Sequence, residues 1–259
     1  MLRTLSILIP TAFRKKLKLH FYAGKKYECL FCGYRSRKLA PIGVDLPIIR
    51  EKKVIGAYPR RGGCYHCGSR DRDRLVFAYL KHTYKLFSKS KELSILHLAP
   101  EVFISKMIRK EGFTNYICGD LHCPGYHYPD FVENVDILNL PFRKNQFDLI
   151  LCNHVLEHVT DDFQAMKELF RVLKPGGKAI LQVPISKNTQ KTIEDDTLSS
   201  PMARKEAFGQ FDHVRIYGQD YPLRLRSAGF EVTRESIAQE FSEYGLNEEE
   251  DLFLGSKPK

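Results

Sequence analysis

The pattern Cys-x-x-Cys-Gly occurs twice in the first third of the chain, and it constrains the local fold more than any other feature. Two residues between thiolates let both sulfurs reach one ion, and the following glycine permits the turn that aims backbone N–H groups at sulfur. Four thiolates suit the tetrahedral geometry of Zn²⁺. We predict that all four cysteines hold one structural zinc ion, with bound iron or a degenerate site as the alternative. The two copies are Cys29-Leu-Phe-Cys32-Gly33 and Cys64-Tyr-His-Cys67-Gly68.

Charge is distributed unevenly along the chain. The net charge is +10 over 259 residues, yet residues 1–92 hold 22 Lys and Arg against 6 Asp and Glu, whereas residues 93–259 hold 19 against 25. Residues 1–26 contain seven basic side chains and no acidic one. Such a front part predicts an anionic partner, either nucleic acid, phospholipid headgroups or an acidic polymer, and the alternative is an arm that only adds solubility.

The basic arm at residues 1–26 also has apolar side chains at mostly helical spacing. It therefore predicts either an amphipathic helix lying on an anionic membrane surface or an extension packed on the body. Apolar stretches are too short to span a bilayer, and the first of them is followed by basic residues rather than by a cleavage site. We expect a cytoplasmic protein, with the arm as a means of peripheral membrane attachment. The apolar positions are Leu2, Leu5, Leu8, Ile9, Phe13 and Leu17.

From about residue 71 onward, apolar strand-like and helix-like segments alternate. This alternation predicts a mainly parallel sheet with helices on both faces, whose ligand lies beyond the carboxyl ends of the strands. A helix is expected to begin with Thr160 as its cap. The chain divides into a basic arm at 1–26, a zinc-ribbon-like module at 27–70 and an α/β body at 71–259. Strands are predicted at 94–98, 115–118, 147–152, 178–183 and 230–233.

The stretch from Asn134 to Pro184 resembles class I S-adenosylmethionine-dependent methyltransferases of the type 11 kind. Four elements carry the resemblance: a carboxylate after the second strand, an Asp before LPF, the segment FDLILCNHVLEHV, and LKPGG before a strand. It extends from about residue 93 to the end of the chain. The resemblance implies a Rossmann-like sheet of seven strands with the last one antiparallel, supplied by DLFLGS at 251–256. Together with the cysteine module, the chain also resembles bacterial methyltransferases of unassigned substrate.

The same resemblance implies which residues bind the cofactor, S-adenosylmethionine. Asp120 would accept hydrogen bonds from the ribose hydroxyls, and Leu121 would flank the adenine. Asp136 would accept from the adenine amino group, with Ile137 beside the ring. For both carboxylates the alternative is capping of a loop at a strand end. Asn153 would line the methionine and substrate side, together with its neighbours Cys152 and His154.

The turn after the first strand of the body departs from the family. Glycine is usual there, whereas this chain reads His97-Leu-Ala99-Pro-Glu101. Ala99 must leave room for the cofactor, and His97 is expected to line the same side of the cofactor pocket. Glu101 is expected either to pair with the α-ammonium of the cofactor or to complement a helix N-terminus.

Three histidines are candidate bases: His154, His158 and His213. The chain lacks the Asn-Pro-Pro-Tyr and Pro-Cys sequences of base-methylating enzymes, which favours hydroxyl, carboxyl or other small acceptors. With Glu157, the three imidazoles would also make a ligand set for a divalent ion. The LEHV turn resembles the metal-binding turn of some small-RNA 3′-end and quinone-pathway O-methyltransferases. The favoured alternative places Glu157 at the helix surface, packs His158, and leaves His154 alone in contact with substrate.

The leading functional hypothesis is O-methylation of a glycan, a lipid-linked intermediate or another small anionic acceptor. A second hypothesis is an RNA or nucleic-acid methyltransferase whose basic zinc module binds phosphates. A third is a non-catalytic binding protein with a relic cofactor fold. Binding of S-adenosylmethionine is expected of both enzymes and not of the non-catalytic protein. Nucleic-acid binding that weakens steeply as salt rises would indicate the nucleic-acid methyltransferase.

Overall fold

The structure, a computed structural model, describes residues 11–259. Its N-terminal part is a helix followed by short antiparallel ribbons. Strand β1 pairs with β2, and β3 pairs with β5. The ribbons bring the two cysteine turns together. The elements are α1 (Thr11–Tyr22), β1 (Ala23–Glu28), β2 (Arg35–Ser36), β3 (Ala40–Ile42), α2 (Pro47–Glu51), β4 (Val54–Ile55) and β5 (Arg60–Gly63).

The body contains a seven-stranded sheet in the order β14-β15-β10-β9-β6-β7-β8. Neighbours from β10 to β8 run parallel, whereas β15 is antiparallel to both β10 and β14. The Rossmann-like sheet and its antiparallel last strand are therefore confirmed. The elements are α3 (Asp71–Ala78), β6 (Ser94–Leu98), α4 (Val102–Lys110), β7 (Asn115–Asp120), β8 (Val132–Asn134), β9 (Phe147–Asn153), α5 (Asp162–Val172), β10 (Leu173–Gln182), β11 (Ile185–Ser186), β12 (Ile193–Glu194), α6 (Pro201–Phe208), β13 (Arg215–Ile216), α7 (Tyr221–Ser227), β14 (Glu231–Glu235) and β15 (Leu252–Ser256).

The central strands are apolar on both sides because helices cover both faces of the sheet. Alternate residues of a strand point to opposite faces. Leu96 and Ile150 accordingly pack in one core cluster, and Ile95 and Leu149 pack in the other. All four side chains are fully buried. The two cores hold the sheet rigid, so side chains at its carboxyl edge have fixed positions.

Helix α5 begins one residue later than expected. Its N-cap is Asp161, whose side chain accepts a hydrogen bond from the backbone N–H of Gln164 at 2.9 Å. Thr160 was the wrong choice of cap; its carbonyl oxygen instead accepts from the guanidinium of Arg215 at 2.8 Å. A carboxylate is at least as good a cap as a threonine hydroxyl, and it complements the positive end of the helix.

The cysteine module and the body are joined by backbone pairing as well as by sequence. Strand β4 of the module pairs antiparallel with β11, which follows the end of β10. The buried guanidinium of Arg74 donates to the carbonyl oxygens of Gly62 in the module and of Tyr244 and Gly245 in the body. The module therefore lies over the carboxyl edge of the sheet. The predicted boundary at residue 70 stays a prediction.

Helix α1 leaves an apolar stripe exposed. Phe13, Leu17 and Phe21 recur every four residues and are 57%, 56% and 60% exposed. Near the end of the helix the ring of Tyr22 stacks on that of Tyr65, with centroids 3.8 Å apart. The arm thus packs on the module at one end and still presents an apolar face. Residues 1–10 of the predicted arm lie outside the described residues. In the described part of the chain, no helix combines the length and apolar character needed to cross a membrane.

Candidate cofactor and acceptor site

The four predicted zinc ligands come together. The Sγ atoms of Cys29 and Cys67 are 3.6 Å apart, and those of Cys32 and Cys64 are 3.7 Å apart. All four sulfurs lie within 4.8 Å of one another. Sulfurs bound tetrahedrally to zinc at about 2.3 Å are themselves about 3.8 Å apart. The arrangement fits a closed site in which four thiolates hold structural zinc.

The two cysteine turns have the same backbone geometry. The N–H of Gly33 donates to the carbonyl of Cys29 at 2.8 Å, and the N–H of Gly68 donates to that of Cys64 at 3.0 Å. Both glycines have positive φ, at +68° and +83°. A side chain would be strained in this conformation, which explains the glycine after each cysteine pair.

The turn after β6 adopts the backbone conformation that glycine usually supplies. Ala99 has φ +45°, and its N–H donates to the carbonyl of Gly119 at 2.8 Å. An L-residue in the left-handed region costs roughly 1–2 kcal/mol. The absence of glycine from this turn therefore does not change its course. The backbone remains able to approach a ligand at the edge of β6.

His97 positions Glu101 at this turn. The imidazole is fully buried, with Nε2 2.6 Å from a carboxylate oxygen of Glu101 and Nδ1 2.7 Å from the hydroxyl of Tyr116. A single tautomer satisfies both contacts, with Nε2–H donating to the carboxylate and the tyrosine hydroxyl donating to Nδ1. Burial opposes ionisation of Glu101, but the hydrogen bond and charge of His97, together with hydrogen bonds from its own backbone and from Asn153, lower the pKa of the carboxyl. Glu101 therefore offers a fixed negative charge at the N-terminus of α4.

The two predicted adenosine-binding carboxylates lie beside the carboxyl edge of the sheet. Asp120 ends β7, and burial raises the pKa of its carboxyl. Leu121, which follows it, is 52% exposed. One oxygen of Asp136 accepts from the backbone N–H of Leu138 at 2.9 Å, so this carboxylate does cap its loop. Ile137 is buried beside it. The cofactor contacts of all four predicted residues stay predictions.

Asn153, at the end of β9, carries an observation that points to a ligand. Its side chain is 4% exposed and lies near the carboxylate of Glu101, yet within residues 11–259 neither the amide oxygen nor the amide nitrogen makes a hydrogen bond of good geometry. A buried amide without partners costs about 1–3 kcal/mol per unpaired group, so native proteins rarely keep one without a reason. The residues present therefore fit S-adenosylmethionine, whose methionine end has both donors and acceptors. The neighbouring Cys152 is not on this wall, because its side chain packs in the apolar core.

His154 follows in a left-handed conformation, with φ +56°. Its N–H donates to the carbonyl of Gln182 at 2.7 Å, and its Nδ1 lies 3.5 Å from a carboxylate oxygen of Glu157. Left-handed backbone at a non-glycine residue is uncommon and often marks a functional turn. The imidazole lies at the carboxyl end of β9, next to Asn153.

Glu157, His158 and His213 form a compact group whose ligand atoms lie within 4.8 Å of one another. The rings of the two histidines meet edge to face with centroids 4.7 Å apart, and His158 Nδ1 is 3.2 Å from a carboxylate oxygen of Asp212. Glu157 is 2% exposed, and its Oε2 has no hydrogen-bond partner. A divalent ion, or the hydroxyl of an acceptor, would satisfy it.

Two expectations about this group were wrong. Glu157 was placed at a helix surface, but Leu156–His158 forms a single 3-10 turn that directs its carboxylate inward. His154 was counted among the possible metal ligands, whereas the group that could hold an ion leaves it out. The i, i+3, i+4 spacing puts three residues on one face only if the segment is an α-helix.

The sequence analysis did not identify two further charged residues near this site, Glu250 and Arg72. Glu250 is buried, and its Oε2 has no hydrogen-bond partner. A Cβ placed on Gly56 would lie 3.6 Å from Oε1 of Glu250 and 3.8 Å from Cε1 of His154, so the carboxylate and the imidazole face the same glycine. Burial raises the pKa of Glu250 to about 7. Arg72 has a buried Nε without a partner. Both occur in strongly charged runs, which usually indicate solvated surface.

Comparison with known proteins agrees with this geometry. Residues 106–181 match the family described as a methyltransferase domain. A 2-phytyl-1,4-naphtoquinone methyltransferase from Nostoc punctiforme is 38% identical over 90 residues, which cover 29% of this chain and 39% of that protein. An uncharacterized protein from Methanocaldococcus jannaschii is 32% identical over 112 residues, or 43% of this chain and 49% of that protein. The chain thus spans at most about half the length of these relatives.

Among solved structures, an S-adenosylmethionine-dependent methyltransferase from Mesorhizobium loti has a TM-score of 0.47 at 16% identity, covering 70% of this chain and 98% of that one. The family match agrees with the predicted resemblance: residues 106–181 are similar to a methyltransferase domain. Residues 106–181 lie between the turn at Glu101 and the end of β10, and they include Asp120, Asn153 and Glu157.

Proposed function

We propose that this protein transfers a methyl group from S-adenosylmethionine to a small-molecule acceptor that carries an ionisable hydroxyl. The observation that carries the proposal is the group of buried polar atoms at the carboxyl end of β9 that lack a well-formed hydrogen bond within residues 11–259. They belong to Asn153 and Glu157, with His154 between them 3.5 Å from a carboxylate oxygen of Glu157, and all lie within the residues that match the methyltransferase domain. When bound, S-adenosylmethionine supplies an electrophilic methyl group.

In this proposal the carboxyl edge of the sheet holds the cofactor. Asp120 and Asp136 accept hydrogen bonds from its ribose and adenine, and Glu101 and Asn153 face its methionine end. Displacement at a sulfonium methyl group requires the acceptor to be placed in line and water to be excluded. The module supports this role, since β4 and its loop cover the edge beside His154.

The group formed by Glu157, His158 and His213 would handle the acceptor's proton. A hydroxyl becomes a good nucleophile only after it loses its proton to a nearby base. His213 and His158 each place a ring nitrogen within 4.8 Å of the buried carboxylate of Glu157. A divalent ion held by the same three residues would lower the pKa of the hydroxyl instead. In either case the proton leaves the acceptor at this group, with His154 placed to orient the acceptor.

The nature of the acceptor is the finer part of the proposal. The sequence favours O-methylation of a glycan, a lipid-linked intermediate or another small anionic compound. Several relatives are named as naphthoquinone or demethylmenaquinone methyltransferases, which favours a quinone-type ring. A reduced quinone would be methylated at a ring carbon, as the name of one relative, a quinone-biosynthesis C-methyltransferase, states for that protein. Loss of a hydroxyl proton makes the ring carbon nucleophilic, and the proton on that carbon leaves after the methyl group is transferred. Both acceptor classes therefore need a base beside an ionisable hydroxyl. The nucleic-acid and non-catalytic hypotheses receive no support from these relatives.

An acceptor screen tests the proposed function. Purified protein would be incubated with methyl-labelled S-adenosylmethionine and three acceptor sets: hydroxylated and reduced quinones, glycans with lipid-linked sugars, and RNA. We expect label in one of the first two sets. Label in RNA alone, with binding that weakens steeply as salt rises, would replace the proposal with the nucleic-acid hypothesis. A protein that binds no cofactor would replace it with the non-catalytic one.

Replacing Asp120 by Ala should weaken binding of S-adenosylmethionine by about 1.5–3 kcal/mol, the contribution of hydrogen bonds to a charged group. Stability should change little, because a half-buried strand-end carboxylate is not part of the core. Titration calorimetry measures the affinity. Asp130→Ala, in the exposed loop that follows, is the matched control and should bind normally. Equal affinity for all three proteins would place the ribose elsewhere.

We also propose that α1 attaches the protein to anionic membranes from the cytoplasmic side. The exposed stripe of Phe13, Leu17 and Phe21 is interleaved with basic residues, as in helices that lie in a membrane interface. Changing these three residues to Ser should reduce binding to phosphatidylglycerol vesicles at least tenfold, measured by co-sedimentation. A control variant changes two apolar residues exposed on other helices, Met202 and Leu223, to Ser. Equal loss in both variants, or in neither, would contradict the attachment.

A further inference from the structure

Helix α3 begins directly after the second cysteine turn. The hydroxyl of Ser69 lies 3.3 Å from the Sγ atoms of both Cys29 and Cys67, and α3 starts two residues later at Asp71. The carbonyl of Ser69 accepts from the backbone N–H of Cys64 and from the guanidinium of Arg74, both at 2.9 Å. The position of the helix start therefore depends on the cysteine cluster.

Two buried ion and hydrogen-bond networks fix the first turn of α3. The carboxylate of Asp71 accepts from Nε and Nη2 of Arg60 at 2.6 and 2.7 Å. Arg74 is 1% exposed, and its guanidinium donates to backbone carbonyls of the module and the body. Because the residues on both sides are anchored, Arg72 between them projects from a rigid backbone.

Helix α3, which carries Arg72, packs beside helix α4 at the edge of the proposed cofactor site. Burial lowers the pKa of the His154 imidazole, and the positive charge of Arg72 acts in the same direction. The ring of Phe31 contacts both Phe77 on α3 and Phe103 on α4, with centroids 4.9 and 5.2 Å away. Helix α3 is thereby packed beside α4, whose N-cap is Glu101.

Arg72 has unused hydrogen-bonding capacity. Among residues 11–259 its buried Nε has no hydrogen-bond partner, and its ion pair with Asp73 is long, at 3.7 Å; the side chain as a whole is 27% exposed. A buried guanidinium nitrogen with no acceptor is costly unless a ligand supplies one. The fork of Nε and Nη matches a carboxylate with two parallel hydrogen bonds. Arg72 thus offers a cation in the first turn of α3, and Glu101 offers a fixed negative charge at the start of α4, the helix packed beside it.

We propose that Arg72 binds the carboxylate of the cofactor's methionine end, while Glu101 binds its α-ammonium group. The inference rests on the proposed function and deepens it. The amino acid end of the cofactor is a zwitterion, so it requires a cation and an anion side by side. The cysteine module would then form one wall of the cofactor site, and its metal would set the position of Arg72 through Ser69 and α3.

Two ligands that differ in the amino acid end provide the test. S-adenosylhomocysteine has the zwitterion, whereas 5′-methylthioadenosine keeps the adenosine and the thioether but lacks it. In titration calorimetry, Arg72→Gln should bind S-adenosylhomocysteine about 10- to 150-fold more weakly, the effect of losing hydrogen bonds to a charged group. Its affinity for 5′-methylthioadenosine should equal that of the unchanged protein. Arg72→Lys, which keeps the charge and loses the fork, should be intermediate.

Arg70→Gln is the matched control, since Arg70 precedes the same helix turn and is exposed. It should bind both ligands normally. The inference is overturned if Arg72→Gln binds S-adenosylhomocysteine as tightly as the unchanged protein, or if it loses both ligands equally while its melting temperature is unchanged. Unchanged protein that binds neither ligand would overturn the proposed function itself. Normal binding of both ligands by Arg72→Gln would overturn only the role of Arg72.

Discussion

Replacing Glu157 by Gln is expected to lower the rate of methyl transfer at least 100-fold. Positioned acid–base groups contribute typically about 10²- to 10⁴-fold to a rate. In one mechanism the buried carboxylate assists the histidine that takes the acceptor's proton. In the other it ligates a divalent cation that lowers the pKa of the acceptor's hydroxyl. The substitution keeps the size of the side chain and removes its charge. The measurement is the initial rate with labelled cofactor and the acceptor found in the screen.

The control for this prediction is cofactor affinity, which should change less than twofold, because the group lies on the acceptor side. Glu206→Gln, at an exposed position of α6, should keep the full rate. A full rate for Glu157→Gln would show that the carboxylate of Glu157 takes no part in the proton transfer. Dialysis against a chelator that leaves the structural zinc in place separates the two mechanisms: an unchanged rate favours a histidine base and excludes a required second metal. A double variant of His154 and His158 to Ala that stays active would leave His213 as the base.

Replacing Cys64 by Ser is expected to reduce bound zinc from about one ion per chain to well below one. Three thiolates and a hydroxyl form a much weaker site, and structural zinc provides on the order of 10–16 kcal/mol of apparent binding free energy in small zinc domains. Residues 27–70 should lose their amide protection in hydrogen exchange. The sheet from β6 to β10 should keep most of its protection, because the buried residues of its two cores do not come from the cysteine turns; Leu30 and Phe31 of the first turn only pack against the outside of one core.

Cys123→Ser is the control for the zinc prediction, since this cysteine is exposed and lies in a loop of the body. It should bind zinc and exchange amide hydrogens like the unchanged protein. Elemental analysis of protein purified without chelator gives the metal content. A value far below one zinc per chain in the unchanged protein would contradict the site. Loss of protection throughout the sheet in Cys64→Ser would show that the body depends on the module for its stability.

The sheet could be predicted because its signals are local. Apolar runs such as FDLILC are bounded by polar residues, and parallel strands place their carboxyl ends at one edge. The amino-acid pattern alone therefore places Asp120 and Asn153 at the same edge, and they do end β7 and β9. The zinc cluster could also be predicted from the sequence, because the spacing within each cysteine pair fixes the distance between its two sulfurs.

Other parts of the site depend on contacts that no local pattern reports. His213 meets Glu157 because the backbone N–H of Val214 donates to the carbonyl of Glu157 at 2.9 Å, a pairing between distant segments. The inward direction of Glu157 follows from a 3-10 turn that the spacing did not reveal. Arg72 and Glu250 occur in the runs DRDR and EEED, and only the tertiary packing buries the side chain of Glu250 and the Nε atom of Arg72.

The turn at Ala99 has a consequence for how such proteins are recognised. Ala99 reaches a left-handed backbone conformation without glycine, and the hydrogen bond from its N–H to the carbonyl of Gly119 holds the turn there. A search for a glycine-rich string would pass this chain over, whereas a search by backbone angle after the first strand would find it. This turn is defined by a positive φ angle. Glycine is the residue that adopts this angle most often, but the turn does not require it.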